Sequence, residues 1–370
     1  MRDIFYKIDF LIHYLSNYKH NTMNALLDKY THILEPCNKE TSVDTIISHP
    51  LYTIVKKSID AYNNTNVLLS LSGGVDSMVM LELLCHIPSI SVYCCHLNYN
   101  NRKESSDEMR FLKDYCELKN VYFDYIEFDF IRSETKRDIY EKETRRMRYK
   151  YYQELIDKYE CSCVVLAHHK DDIVENIYNN IMRGCREPND LIVLKEFNTI
   201  LDVNVCRPLL HVYKDVVYDV ASKYNIPYFL DTTPDWSCRG KMRRKIFPMC
   251  DDCYGSQYKE NIIQLGEDCE TMGNIINTYI IDNIMKNDVI VEGKNFSIRV
   301  SDVLKEKVIM KIVLKKILHQ MGLNIMKSKC IDQLINVLHS KKQQKMSLLK
   351  NYNTIVNENS IVFTSLLHTA

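Results

Sequence analysis

Short apolar runs alternate with helix-like segments along the middle of the chain, from residue 66 onwards. This alternation is typical of a parallel β-sheet whose two faces are covered by helices. We therefore predict an α/β fold with a doubly wound, mainly parallel sheet. In such sheets the ligand lies beyond the carboxyl ends of the strands, where the strand order reverses. The predicted strands are 67–71, 91–96, 121–128 and 162–167, and the predicted helices are 77–85, 105–118, 139–159, 172–182 and 212–224.

The segments on either side of this α/β region have a different pattern. Residues 1–65 are polar with helical apolar spacing at 4–18 and 42–62, which predicts a helical N-terminal extension. A boundary at 248–258 then separates the α/β domain, 66–250, from a smaller, mainly helical C-terminal domain, 259–370. Within the latter we predict helices at 260–285, 303–321 and 329–340 and a hairpin at 351–363.

Charge and cysteine content bear on the partners and the compartment. Lys+Arg and Asp+Glu balance at 48 each, so a basic surface for nucleic acid must be local. Residues 1–15 mix charged with apolar side chains, and no run approaches the roughly 18 apolar residues of a membrane helix. The 14 cysteines are scattered and follow no secretory segment. We expect reduced thiols, a cytoplasmic location and no membrane partner.

The sequence Ser-Gly-Gly-Val-Asp-Ser at 72–77 directly follows a predicted strand and directly precedes a predicted helix. Two glycines let the backbone approach a ligand closely, and successive N–H groups at the positive helix end attract an anion. The phosphate loop of kinases and GTPases requires a Lys after its glycines, and none follows here. An ordinary turn is the alternative, but the full hexapeptide in this context favours a pyrophosphate site.

Carboxylates and histidines follow the fourth predicted strand, in 166–175. Asp172 and Glu175 are three residues apart and share one face of a helix. Two carboxylates there suit Mg²⁺, or one of them accepts a proton or orients an amine. The alternative is that Asp171 caps the helix while acidic residues fill its first turn. A zinc site at His168 and His169 is disfavoured, because adjacent residues of a strand point to opposite faces.

Three further polar motifs stand at 96–107, at 143–149 and in 206–248. Arg145 and Arg148 are three residues apart and bind a phosphate or a nucleic acid, or else form a solvated basic face. Arg239 and Arg243 belong to five basic residues within the seven positions 239–245, a density that suits pyrophosphate, an adenylate or nucleic-acid phosphates.

These ordered motifs resemble those of the tRNA(Ile)-lysidine synthases, within the PP-loop ATP pyrophosphatase superfamily, from about residue 66 to residue 248. The resemblance implies an adenine nucleotide alpha hydrolase-like fold and the use of ATP with Mg²⁺. It also implies tRNA and L-lysine as substrates, and a homodimer is compatible with it. The residues expected to bind ATP are Ser72, Gly73, Gly74, Val75, Asp76, Ser77, His96 and Asn98.

The resemblance also assigns roles to the charged residues. Asp76, Asp172, Glu175, Arg239 and Arg243 are the expected catalytic residues, with Asp76 and Asp172 at the metal. Arg145, Arg148, Lys241 and Arg244 are the expected tRNA-binding residues. The chain departs from the family pattern at Tyr99, where the family has His, and at Gly240 and Pro234, near which it has Asn.

Three other reactions or roles occur on PP-loop folds. Thiolating relatives with an iron–sulfur cluster carry a Cys pair before the long helix, where this chain has Glu143-Thr-Arg-Arg; Cys250 and Cys253 form the one Cys-x-x-Cys here. Amidotransferases need a glutaminase domain, which 65 N-terminal residues cannot hold. A non-catalytic ATP- or RNA-binding module is the third alternative. The preferred interpretation is adenylation of a wobble cytidine in an isoleucine tRNA, followed by attack of the lysine ε-amine.

Overall fold

The computed structural model describes residues 22–35, 45–61, 66–100, 104–128, 137–185, 187–230, 237–340 and 342–366. It divides into two compact units, each described below by itself. The first comprises the described residues of Met1–Cys185 and Ile192–Leu265, and the second those of Arg186–Leu191 and Gly266–Ala370. The predicted helix at 4–18 lies outside the described residues, and the domain boundaries predicted from the sequence stay predictions.

A six-stranded sheet with the order β3-β2-β1-β4-β6-β5 forms the centre of the first unit. All neighbouring strands pair in parallel except β5, which pairs antiparallel with β6 at the edge. The predicted mainly parallel sheet is therefore confirmed, whereas β5 and β6 were not predicted. The strands are β1 (Asn66–Ser70), β2 (Ser91–Asn98), β3 (Tyr122–Glu127), β4 (Val164–Val165), β5 (Phe197–Ile200) and β6 (Val203–Cys206).

Helices cover both faces of this sheet, because successive residues of β1 enter different hydrophobic clusters. Leu69 packs with Met78 and the helix after the first loop, whereas Leu68 packs with Tyr152 on the opposite face. The helices of this unit are α1 (22–29), α2 (Pro50–Asp60), α3 (Val75–Cys85), α4 (Ser105–Leu118), α5 (Arg137–Tyr159), α6 (Lys170–Met182), α7 (Lys214–Lys223), α8 (Cys238–Lys241), α9 (Phe247–Tyr254) and the start of α10 (Gln257–Ile276). The helices predicted in this region are thus present.

The strand order reverses between β1 and β4. From β1 the chain proceeds outward to β2 and β3, then returns to β4 on the other side of β1. Leu69 of β1 pairs with Val165 of β4, so the residues that follow these strands emerge side by side. This is the reversal point at which ligands bind in α/β sheets. The loop at 72–77 and the acidic motif at 166–175 are the two segments that meet there.

The second unit combines helices with a five-stranded antiparallel sheet of order β7-β8-β11-β10-β9. The predicted hairpin is confirmed as β10 (Tyr352–Val356) and β11 (Ser360–Ser365). The sequence did not predict β7 (Val289–Glu292), β8 (Asn295–Arg299) or β9 (Gln344–Met346), which are only three to five residues long. Its helices are the rest of α10, α11 (Asp282–Asn287), α12 (Lys307–Gln320) and α13 (Ser328–Ser340). No helix in the described part of the chain is long and apolar enough to span a membrane.

Candidate active site

The hydroxyl of Ser77 organises the loop that follows β1. It accepts hydrogen bonds from the backbone N–H groups of Ser72 (3.2 Å) and Gly73 (3.0 Å) and donates to the carbonyl of Gly74 (3.0 Å). The Ser77 side chain is buried, whereas Ser72 is exposed. The structure therefore uses Ser77 to shape the loop, and Ser72 offers the accessible hydroxyl.

Gly73 fixes the loop against the core of the first unit. Its φ of +83° lies in the left-handed region, which favours glycine. A Cβ on Gly73 would lie 1.9 Å from Cε2 of Phe229. The backbone N–H of Phe229 also donates to the carbonyl of Gly73 (2.9 Å). Glycine is required here both by the backbone conformation and by the ring beneath it.

Helix α3 begins at Val75, inside the 72–77 motif and two residues before its predicted start, with Gly74 as its N-cap. The first backbone bonds of this helix run from Ser77 and Met78 to the carbonyl of Gly74. The N–H groups of Val75 and Asp76 precede them, and the first N–H groups of a helix have no partner within it. Together with the helix dipole, these groups form an anion site suited to pyrophosphate.

Asp76, in the first turn of α3, meets side chains from two distant elements. Lys214, the first residue of α7, places its Nζ 3.2 Å from Oδ2 of Asp76. His169 places its Nε2 3.7 Å from Oδ1, and that oxygen is buried without a hydrogen-bond partner among the described residues. Lys214 was not predicted from the sequence. It supplies beside the loop the positive charge that the loop sequence lacks.

His169 lies between three carboxylates at the start of α6. Its ring is almost fully buried, with Nδ1 3.6 Å from Oδ2 of Asp171 and Nε2 3.6 Å from Oδ2 of Asp172. The alternative that Asp171 caps this helix is wrong. Residue 169 is the N-cap, and its backbone N–H donates to Asp172 (3.1 Å). Asp171 instead accepts from the backbone of Lys214 (2.9 Å) and from Nζ of Lys259 (2.8 Å).

Asp172 and Glu175 share one face of α6, and two arginines close over them. Arg239 and Arg243 each contact both carboxylates; Nε of Arg239 is 2.5 Å from Glu175, and Nη2 of Arg243 is 3.2 Å from Asp172. Both acidic residues are buried, with Asp172 5% exposed and Glu175 4% exposed. Burial opposes ionisation of Asp172, but the charges of His169 and Arg239 outweigh it and lower its pKa to about 2. Asp172 therefore remains ionised, and both carboxylates are paired with the arginines.

The basic cluster at 239–245 is divided between two directions. Arg239 in α8 and Arg243 in the following π-helical turn, Met242–Ile246, reach the acidic pair. Met242 between them is buried in a small apolar cluster. Lys241 and Arg244 are exposed. The cluster thus has two arginines bound to carboxylates and three exposed basic residues, Lys241, Arg244 and Lys245.

The predicted residues in the last part of β2, His96 and Asn98, contact nearby backbone groups. His96 is buried, and its Nδ1 lies 2.9 Å from the carbonyl of Leu71 at the start of the loop. The Oδ1 of Asn98 accepts from the N–H of Asn100 (3.0 Å), and its Nδ2 is 3.5 Å from Glu127. His96 thus contacts the backbone at the start of the loop. The ATP contacts of His96 and Asn98 stay predictions.

Tyr99 holds Arg148, one of the predicted tRNA-binding residues. Its hydroxyl accepts from Nε (3.1 Å) and Nη2 (2.7 Å) of that arginine, and its ring stacks on Phe128 with centroids 4.8 Å apart. Tyr99, one of the positions at which the chain departs from the pattern it resembles, therefore has a structural role directly after β2. Arg145 is exposed, with its guanidinium 5.7 Å from the ring centre of Tyr149.

A comparison against protein families gives a result that agrees with the loop, the acidic pair and the arginines described above. The model of the PP-loop domain matches residues 40–250, more than half of the chain. The chain belongs to the PP-loop family.

Among curated proteins, this PP-loop chain is similar to tRNA(Ile)-lysidine synthases, as the sequence motifs indicated. It is 28% identical over 248 residues to the enzyme of Chlamydia caviae, covering 65% of this chain and 75% of that protein. It is 30% identical over 192 residues to that of Staphylococcus aureus, covering 50% of this chain and 44% of that protein. The chain thus spans three quarters of the first relative and about half of the second.

Among solved structures, the PP-loop chain matches the U34-tRNA thiolase of Methanococcus maripaludis, determined with its [4Fe-4S] cluster. The sequence identity is 19% and the TM-score 0.48, with 60% of this chain and 78% of that chain covered.

The two aspartates predicted as metal ligands of this PP-loop protein differ in how well they fit Mg²⁺. Asp76 has a buried oxygen without a hydrogen-bond partner among the described residues, which suits a cation ligand. Both oxygens of Asp172 are engaged, one by the N–H of His169 and one by the arginines. Asp76 therefore fits a cation contact better than Asp172 does, and Mg²⁺ binding at either residue stays a prediction.

Proposed function

We propose that this PP-loop protein adenylates the wobble cytidine of an isoleucine tRNA and joins lysine to it, forming lysidine. ATP is converted to AMP and pyrophosphate. The observation that carries the proposal is the meeting, at the reversal point of the sheet, of an anion-binding loop and a buried pair of carboxylates. Similarity to tRNA(Ile)-lysidine synthases supports the same reaction.

The first half-reaction forms the adenylate. The C2 oxygen of the cytidine attacks the α-phosphorus of ATP, the bond to the β-phosphate breaks, and pyrophosphate leaves. Ser72 and the first N–H groups of α3 bind the departing pyrophosphate, while Lys214 adds positive charge. An Mg²⁺ held by Asp76 would neutralise charge on the phosphates.

The second half-reaction uses the acidic pair. The lysine ε-amine attacks C2 of the cytidine, the bond from C2 to the adenylate oxygen breaks, AMP leaves, and the amine loses a proton. We propose that Asp172 and Glu175 orient that amine, since each carboxylate keeps an oxygen that can accept a further hydrogen bond beside its arginine or backbone donor. Arg239 and Arg243 pair with both carboxylates and would stabilise the anionic intermediate.

The tRNA would contact the exposed basic residues of the first unit. Lys241 and Arg244 are exposed, and Arg145 is exposed on α5. Arg148 would act through its contact with Tyr99 at the end of β2. The proposed setting is the cytoplasm, with the chain acting as a homodimer; light scattering after gel filtration would test the latter.

The test is release of labelled pyrophosphate from ATP by the purified protein, with bulk tRNA present and lysine supplied or withheld. Nucleoside mass analysis of the tRNA follows. Lysine-dependent AMP and a cytidine heavier by one condensed lysine are the expected results. ATP turnover that does not depend on lysine would indicate that the nucleophile is sulfur or another amine instead. The absence of turnover with any tRNA would contradict the proposal.

Changing Cys250 and Cys253 together to Ser separates lysine ligation from the sulfur-transfer alternative. Both residues lie on α9, where Cys253 is exposed. Under lysine ligation the double variant retains its AMP formation, whereas a thiolation mechanism that uses this pair would lose it.

A further inference from the structure

Arg207 is a buried arginine whose guanidinium ends at a histidine of the site. It is 2% exposed. Its Nη1 donates to the carbonyl of Lys195 (2.7 Å) and to Oδ1 of Asn198 (2.8 Å), and its Nε donates to Nδ1 of His168 (3.2 Å). Three bonds from a planar, permanently charged group fix its orientation. The mechanism above uses neither Arg207 nor His168.

This contact decides which nitrogen of His168 carries the proton. Arginine only donates, so the Nδ1 that it contacts must accept and carries no hydrogen. The proton of the neutral ring is then on Nε2. Within the described part of the chain, the bond from Arg207 is the one hydrogen bond that the His168 ring makes. Nε2–H is therefore a donor that remains available to a ligand.

The position of His168 places this donor at the reversal point of the sheet. His168 follows β4 by three residues, and β4 lies beside β1, which leads into the pyrophosphate loop. The charges of Asp172 and Arg239 in the acidic pair and its arginines act on the His168 ring. His168 itself is only partly buried. Burial and the nearby arginines also lower the pKa of His168, to about 4, which keeps the ring neutral near pH 7.

We propose that Arg207 is a positioning residue that holds His168 as the Nε2–H tautomer, and that this N–H donates to a phosphoryl oxygen of ATP bound at the loop. The inference rests on the proposed adenylation. When the cytidine oxygen attacks the α-phosphorus and the bond to the β-phosphate breaks, the non-bridging oxygens remain anionic. A fixed neutral donor stabilises them without transferring its proton.

Nitrogen NMR tests the tautomer without any assumption about activity. The protein is labelled with ring-¹⁵N histidine, and the His168 signal among the 12 histidines is identified by its loss in His168→Gln. Near pH 7 we expect a protonated Nε2 and a non-protonated Nδ1. An Nδ1–H tautomer or an imidazolium would overturn the inference. Adding adenosine 5′-(α,β-methylene)triphosphate with Mg²⁺ should shift the Nε2 signal. An unchanged signal would contradict the proposed hydrogen bond from Nε2 to a phosphoryl oxygen.

Two substitutions of His168 test the position of the donor in catalysis. Gln can place an amide N–H near the position of Nε2, whereas Asn places one near Nδ1. We expect His168→Asn to lower kcat about 100-fold, as the loss of one oxyanion donor does. In His168→Gln, kcat should stay within about tenfold of the wild-type value. His211→Gln is the control, because His211 is an exposed histidine paired with Glu196. Equal losses in His168→Asn and His168→Gln would contradict the proposed donor.

Arg207→Met tests the positioning role directly. It removes the donor to Nδ1, so the ring should populate both neutral tautomers and kcat should fall while the Km for ATP changes less. An unchanged tautomer and kcat would overturn the inference. If this buried variant does not fold, the two His168 variants, which leave Arg207 in place, decide the question. A wild-type protein inactive with every tRNA would defeat the proposed function, whereas the NMR result would still settle the tautomer.

Discussion

Lys214 brings a positive charge to the pyrophosphate loop across 138 residues of sequence. At the scale of single residues, the site consists of such long-range pairs. Arg239 and Arg243 meet Asp172 and Glu175 across 64 to 71 residues. None of these pairs has a local sequence signature, because each partner belongs to a different element.

Substitution of Lys214 should weaken ATP turnover. In Lys214→Ala the loop loses a charged hydrogen-bond donor, which contributes about 1.5–3 kcal/mol, so kcat/Km for ATP should fall roughly 10- to 100-fold. Lys214→Arg should recover much of this loss because it keeps the charge. Lys223→Ala, in the last turn of the same helix, is the control and should change kcat/Km less than twofold. An equal effect of Lys214→Ala and Lys223→Ala would show that Lys214 does not serve the nucleotide.

Neutralising Glu175 should affect both stability and the lysine step. In Glu175→Gln two guanidiniums lose a carboxylate partner in a buried setting, and the free energy of unfolding should drop by about 2 kcal/mol. Urea unfolding measures this, and lysine-dependent AMP formation should be lost in the same variant. The control is Glu154→Gln, an exposed residue 3.5 Å from Lys150, with an expected change below about 0.5 kcal/mol.

At the scale of elements, the loop and α3 form one pre-shaped unit. Ser77 on the helix bonds the backbone of Ser72 and Gly73 in the loop, and Phe229 supports Gly73 from below. The loop conformation is thus fixed by its contacts with Ser77 and Phe229 before any ligand binds. Such preorganisation matters because donors that are already aimed need no rearrangement during the reaction.

Gly73→Ala tests whether the support from Phe229 is essential. The new Cβ would overlap the Phe229 ring and occupy a positive φ, so ATP turnover should be lost. Gly293→Ala separates the two effects, because Gly293 also has a positive φ (+58°) but no atom within 4 Å of a Cβ. It should cost about 1 kcal/mol of strain and keep the activity. Activity retained in Gly73→Ala would refute the support from Phe229.

At the scale of the whole molecule, the wrapping of helices around both sheet faces buries the site near the reversal point. Burial lowers the pKa of His168 to about 4, against about 6.5 in an unfolded chain. Between these values the unfolded chain binds a proton that the folded chain does not. The part of the folding stability that depends on a neutral His168 ring is therefore fully present above about pH 6.5 and is lost as the pH falls towards 4.

The stability should therefore fall on mild acidification in a way that depends on His168. From pH 7.5 to pH 5 this residue alone should lower the free energy of unfolding by about 2 kcal/mol. Urea unfolding of the wild type and of His168→Gln at both pH values measures the difference. The variant should lose about 2 kcal/mol less than the wild type, and parallel losses would contradict a neutral buried ring.

The alternation of apolar runs and helices was sufficient to predict the α/β class and the parallel sheet, because period and burial are local properties of sequence. The strands β5 and β6 were missed, since four-residue strands leave little periodic signal. The mainly helical C-terminal domain was predicted with its hairpin but without the other three strands of its sheet, for the same reason.

The sequence by itself also determined the loop, the acidic pair and the inward arginines as candidates, because each has a dense local motif. Only the tertiary structure decided which partners they meet. It placed Lys214 beside Asp76, His169 among three carboxylates, and Arg207 behind His168. It also turned Ser77, His96 and Asn98 towards backbone groups. The physical reason is that charge pairing and tautomer choice depend on distances across the fold, and those distances are set only when the strands assemble around their reversal point.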